Sequence, residues 1–152
     1  MLPPARRRWG TSVAPDATHV PHSRAASDWF EAAAAAGERF VASRLAELEV
    51  RRVLRSLGLG RAAQDVASEY LDEFTLVSVA DDLLQAAAIE FPLGGADAIH
   101  VATALRLGPA AVALVTHDAQ MARAAISRGF DVLDPVSDDP GRWPVDGIAP
   151  RG

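Results

Sequence analysis

The sequence predicts an α/β fold, a three-layer α/β/α sandwich around a mainly parallel sheet. Three observations predict it. From Ser23 onward, segments with helical apolar spacing alternate with short β-prone runs, as in strands joined by crossover helices. One of those runs, "AVALVT" at 111–116, is apolar throughout, as expected of a strand covered on both faces. Glycines stand where the helical segments stop, at Gly37 and Gly58 among others.

Each element follows in order. "SRAASDWFEAAAAAG" offers a serine cap at Ser23, helix formers and a stopping glycine. "RFVAS" is a short strand feeding a second helix, "RLAELEVRRVLRSLG", and "RAAQDVASEYLDEF" makes a third. The β-prone "TLVSVA" precedes a helix "DDLLQAAAIE", for which Asp81 is the expected cap. After "FPLGG" comes the helix "ADAIHVATALRLG", then the 111–116 strand, the helix "AQMARAAISRG" and a closing strand in "FDVLDP". The ends differ from this body. Residues 1–21 carry prolines and three consecutive arginines, with no apolar run able to form the central strand that normally opens such a domain. The expected organisation is therefore an atypical segment at 1–21, one domain at 22–135 and a flexible tail at 136–152.

Composition narrows the function classes. The chain has 152 residues, 49 % hydrophobic and 23 % charged, which suits one globular core. No uncharged run is long enough to span a bilayer, and no apolar stretch follows Arg6–Arg8 to make a signal peptide. A cytoplasmic location is the expectation. Cysteine is absent, which excludes disulfides, thiolate zinc sites and a cysteine nucleophile. A net charge of −5 argues against gripping nucleic acid by overall positive charge, although local basic patches stay open. All fifteen basic residues are arginines, most simply a matter of genome composition. No P-loop, GxGxxG or GxSxG motif occurs.

The acids carry the remaining chemistry. Asp118 falls just past the buried 111–116 strand, where α/β sheets place ligands, and it is equally well placed to cap the next helix. Asp97 borders a core stripe of Ala98, Val101, Ala102 and Leu105, either as a first-turn acid near the positive helix end or as a metal ligand. On the second helix, Glu47 and Glu49 flank the apolar face, Arg44, Arg51 and Arg55 point to solvent, and Glu49 has Arg52 within ion-pair spacing. Helical geometry alone does not choose between the glutamates. His100 lies opposite the Asp97 helix stripe and reads as structural, while His117 flanks the site.

Together these segments are more specific than any one acid. "ADAIHVATALRLG" followed by "VALVTHDAQMARAAISRGFDVLDP" closely resembles the second half of PIN-domain proteins of the VapC toxin type. "SRLAELEVRRVLR" resembles that family's Ser-x-Leu-x-x-x-Glu-x-x-Arg segment, which selects Glu49 over Glu47. The resemblance spans roughly residues 22 to 135. It implies a metal-dependent endoribonuclease, the toxin of a toxin–antitoxin pair, with Glu49, Asp97 and Asp118 as ligands of Mg²⁺ or Mn²⁺. Thr116 matches the family's hydroxyl near the last acid, expected to orient a ligand or water. The partners it implies are an RNA substrate, a cognate antitoxin and a second copy in a homodimer. Carboxylates about 4 Å apart repel by roughly 4 kcal/mol at an effective dielectric near 20, so an acid cluster needs protons or a cation. Oxygen ligands suit Mg²⁺ or Mn²⁺. One departure stands out: the family's opening strand ends in an aspartate that binds metal, and "WGTSV" puts Gly10 there, with Asp16 the nearest acid. That departure supports an alternative, a catalytically impaired PIN-like module that engages antitoxin or RNA without cleavage.

Overall fold

Five parallel strands lie in the order β3-β2-β1-β4-β5 in the computed structural model, which describes the backbone of residues 7–10 and 20–136 and side chains from 24 to 136. The strands are β1 (Arg7–Gly10), β2 (Phe40–Ser43), β3 (Phe74–Val77), β4 (Val112–Val115) and β5 (Val132–Leu133). Six helices connect or follow them: α1 (Val20–Ala35), α2 (Arg44–Ser56), α3 (Arg61–Asp72), α4 (Asp81–Glu90), α5 (Gly95–Leu107) and α6 (Ala119–Ser127).

Side-chain alternation on the strands separates two cores. Val41, Val112, Leu114 and Val132 face one way, onto Leu83, Ala87, Ala98, Val101, Met121 and Ala125 of α4, α5 and α6. Ala113, Val115 and Leu133 face the other way, toward Trp29 and Phe30 of α1. Phe30 also meets Phe40 and Phe74 at ring separations of 5.2 and 6.2 Å, and Tyr70 of α3 stands 5.6 Å from Phe74. Helices thus cover both faces, and the three-layer α/β expectation holds. β4 is buried at every position, as its unbroken apolar run requires.

The N-terminal expectation is corrected. Arg7–Gly10 forms the central strand, paired in parallel with β2 on one side and β4 on the other. Hydrophobic patterning does not reveal it, because the strand is specified by two neighbours that each present a row of backbone donors and acceptors needing partners. Asp16 and the 137–152 tail lie outside the described residues.

Smaller corrections concern helix starts and faces. α1 begins at Val20 rather than after Ser23, since Pro21 fits a first turn whose N–H groups have no helical partner. Asp81 is the first residue of α4, whose cap position is Ala80. The helix stop at Gly58 holds: its φ of +69° turns the chain, and Leu59 N donates to the Leu54 carbonyl at 3.0 Å. α5 is buried well beyond one stripe, with His100, Thr103 and Ala104 enclosed beside Ala98, Val101 and Ala102. His100 is therefore not opposite the core. Arg51 does not point to solvent either, because it reaches Gln64 and Ser68 of α3.

Two stability outcomes follow. Leu114→Ala, at a fully enclosed position of β4, is expected to cost about 2–5 kcal/mol by urea denaturation. Arg8→Pro removes a ladder donor from the central strand and is expected to destabilise by about 1–3 kcal/mol more than Arg8→Ala in the same assay.

Candidate functional site

Strand order fixes where a site belongs. The chain winds from β1 through β2 to β3 on one side, then crosses to β4 and β5 on the other, so the direction reverses between β1 and β4. Ligands of open α/β sheets bind beyond the strand carboxyl ends at such a reversal. Gly10 ends β1 and is in register with Val115, the last residue of β4. Thr116, His117 and Asp118 follow immediately.

Each candidate residue is held by its own local structure. The Asp118 carboxylate caps α6, its Oδ1 accepting from Met121 N at 2.7 Å. Thr116 is buried, and its Oγ1 accepts from Asp118 N at 3.0 Å, fixing the turn that presents the acid. Capping and site roles are thus compatible for Asp118: among the described residues Oδ2 takes no hydrogen bond. Glu49 behaves the same way. Its Oε2 accepts from His100 Nε2 at 2.9 Å, while Oε1 takes no hydrogen bond among the described residues.

The structure separates the two glutamates. Glu47 is occupied by Arg44 at 3.0 Å and Arg51 at 3.1 Å, and their hydrogen bonds hold its carboxyl below the usual range. Since Arg51 also binds α3, Glu47 belongs to the α2–α3 contact. Glu49 pairs with His100 rather than with Arg52.

Asp97 differs from both. It sits in the first turn of α5, whose cap position, Gly94, offers no side chain, and its carboxylate accepts no hydrogen bond among the described residues. A helix start alone would favour the charged form and lower the pKa. Instead it is raised, first by desolvation, then by the charges of Asp118 and Glu49, with His100 opposing. Asp118 and Glu49 therefore each lie within electrostatic reach of Asp97. Among the described residues, however, no three His, Asp or Glu side chains converge closely enough to hold an ion. An all-oxygen, mutually repelling donor set fits a hard divalent cation in chemistry. It does not form a closed cage, and Gly10 adds no carboxylate at the strand end beside it.

With this geometry in hand, comparison with known proteins is decisive. A model of the PIN domain matches residues 13–127, three-quarters of the chain. The chain is a PIN-domain protein of the VapC type. It is 38 % identical over 97 residues to Ribonuclease VapC46 of Mycobacterium tuberculosis (strain ATCC 25618 / H37Rv), covering 62 % of this chain and 73 % of that protein. No solved structure matches it.

Sequence reasoning missed the contact that His100 makes with Ser43 and Glu49, although Ser43 opens the Ser-x-Leu-x-x-x-Glu-x-x-Arg segment. A signal for His100 exists. His100 is three residues after Asp97, so the two share one side of α5.

The Asp97 shift has a consequence for stability. Because its pKa is raised, the folded chain retains a proton that the unfolded chain has released. Asp97 therefore costs stability as pH rises through and above its ordinary range, and costs nothing below it. Asp97→Asn is expected to raise Tm at pH 7, a gain that vanishes below about pH 3 in thermal scans.

Proposed function

We propose that this chain is a metal-dependent endoribonuclease of the toxin type, hydrolysing RNA phosphodiester bonds at the acid site and restrained by a cognate antitoxin. The observation that carries the reading is the Asp97 carboxylate at the reversal of strand order, unpartnered among the described residues and raised in pKa first by desolvation and then by Asp118 and Glu49. The PIN-domain match and the ribonuclease named among the chain's relatives support the same reading.

Asp97, Asp118 and Glu49 would hold Mg²⁺ or Mn²⁺, using the oxygens left over after capping and the His100 bond. When bound, such an ion polarises the phosphodiester and lowers the pKa of an attacking water. The chain's own contribution is placement. Met121 N and Thr116 Oγ1 fix the Asp118 turn, and His100 fixes Glu49. Thr116 is the hydroxyl nearest the last acid in sequence and orients a ligand or water there.

Partners follow the same reading. α2, α3 and the segment between them expose Leu48, Leu57, Leu59, Val66 and Tyr70, which supports a protein partner such as an antitoxin or a second copy of the chain. No helix among the described residues is long and apolar enough to cross a membrane, in keeping with a cytoplasmic site of action.

A second reading is favoured by one position. Gly10 provides no carboxylate at the end of the central strand, where the family pattern has an acid. A chain that binds RNA or antitoxin but barely cleaves fits that feature.

The deciding assay is Mn²⁺-dependent cleavage of a structured RNA. Asp97→Asn and Asp118→Asn are each expected to lower the rate by at least about 100-fold, since even outer partners of a metal site commonly contribute 10–100-fold. Asparagine caps helices as well as aspartate, so Asp118→Asn should keep Tm unchanged, whereas Asp118→Ala costs about 1 kcal/mol. Absence of cleavage by the folded chain, regained in Gly10→Asp, would establish the second reading. No cleavage in either would sink the nuclease.

A further inference from the structure

Three separate elements meet at a buried polar contact. Ser43 ends β2 and is fully enclosed, and His100 of α5 is 3 % exposed. The His100 ring lies between Ser43 and Glu49: Nδ1 is 3.0 Å from Ser43 Oγ, and Nε2 is 2.9 Å from Glu49 Oε2. Of the three, Glu49 is the acid, and His100 also lies within electrostatic reach of Asp97. An ionised carboxylate accepts hydrogen bonds and donates none, so Nε2 must carry the ring proton. In the neutral ring Nδ1 is then an acceptor, and the Ser43 hydroxyl supplies the donor. The direction of both bonds follows from the carboxylate.

We propose that Ser43 and His100 are a positioning pair that aims the Glu49 carboxylate at the space it shares with Asp97 and Asp118. The proposal rests on reading Glu49 as a metal ligand. A partly exposed glutamate on its own samples many rotamers, and a nearby arginine is an alternative partner in Arg52. A rigid ring clamped between β2 and α2 removes that freedom, using one carboxylate oxygen and leaving Oε1 for an ion. Burial makes the clamp dependable, because the pair is shielded from competing water. Glu49 sets the tautomer, and the Ser43 hydroxyl, donating to Nδ1, anchors the other side of the ring; without it the ring loses one of its two tethers.

Mn²⁺ binding by calorimetry tests this without requiring cleavage, in the chain and in its Gly10→Asp variant, with thermal scans to establish folding. Glu49→Gln defines the loss of the ligand. His100→Leu is expected to weaken Mn²⁺ binding by about 10-fold or more, and His100→Gln, whose amide keeps both a donor and an acceptor, to stay within about threefold of the parent. In the His100→Leu/Glu49→Gln double variant, binding should be no weaker than in Glu49→Gln alone. Ser43→Ala should leave the fold intact and, in ring ¹⁵N spectra, the His100 proton on Nε2, while weakening Mn²⁺ binding by more than about threefold. Should His100→Leu fail to fold, Ser43→Ala and His100→Gln carry the comparison. Parent-like Mn²⁺ binding in His100→Leu or Ser43→Ala, beside weakened binding in Glu49→Gln, would overturn the positioning role and leave the metal site standing. Parent-like binding in Glu49→Gln, or no Mn²⁺ binding by either background, would overturn the ligand reading and the positioning role with it.

Discussion

Repulsion of Asp97 by Asp118 and Glu49 is the constraint on which the rest of this structure turns. Carboxylates in water avoid one another, and nothing local holds these three near each other; they come from α5, the β4–α6 turn and α2. The fold supplies the restraint. β4 is enclosed on both faces, α5 is buried along most of its length, and α2 is tied to α3 through Glu47, Arg51, Gln64 and Ser68. Each acid is then carried to its place by an element that has no freedom to retreat.

The same constraint explains the division of labour among oxygens. Among the described residues, Asp118 and Glu49 each give one oxygen to the protein, to Met121 N and to His100, and Asp97 gives none. Fixing two flanking acids while leaving the middle one unpartnered concentrates the electrostatic cost on Asp97. A proton meets that cost in part, as the raised pKa of Asp97 records, and a cation would meet it on the reading proposed above.

Membership of the PIN-domain family gives this arrangement its context, and Gly10 gives it its individuality. β1 is present, central and in register with β4. The strand is therefore present although it ends in glycine, where the resemblance read from the sequence leads one to expect an aspartate. A strand and an acid at its end are separable properties, since the strand is held by backbone pairing and an acid is supplied by its side chain alone.

By itself the sequence determined the alternation of helices and strands from residue 40 to residue 133, the double burial of β4, the stop at Gly58 and the candidacy of Asp97 and Asp118. All of these are local, depending on periodicity, glycine conformations and the position of an acid just after an apolar run. The choice of Glu49 over Glu47 came from family resemblance, since the two are near mirror positions on the helix wheel. Tertiary structure decided what depends on partners distant in sequence. It gave Glu47 to Arg44 and Arg51 and turned Glu49 to His100. It enclosed His100 against Ser43, fifty-seven residues away. It placed an arginine-rich strand at the centre of the sheet. Backbone pairing and cross-chain hydrogen bonds leave little trace in hydrophobic spacing, and for that reason the N-terminal strand and the Ser43–His100–Glu49 contact were illegible until the fold brought them together.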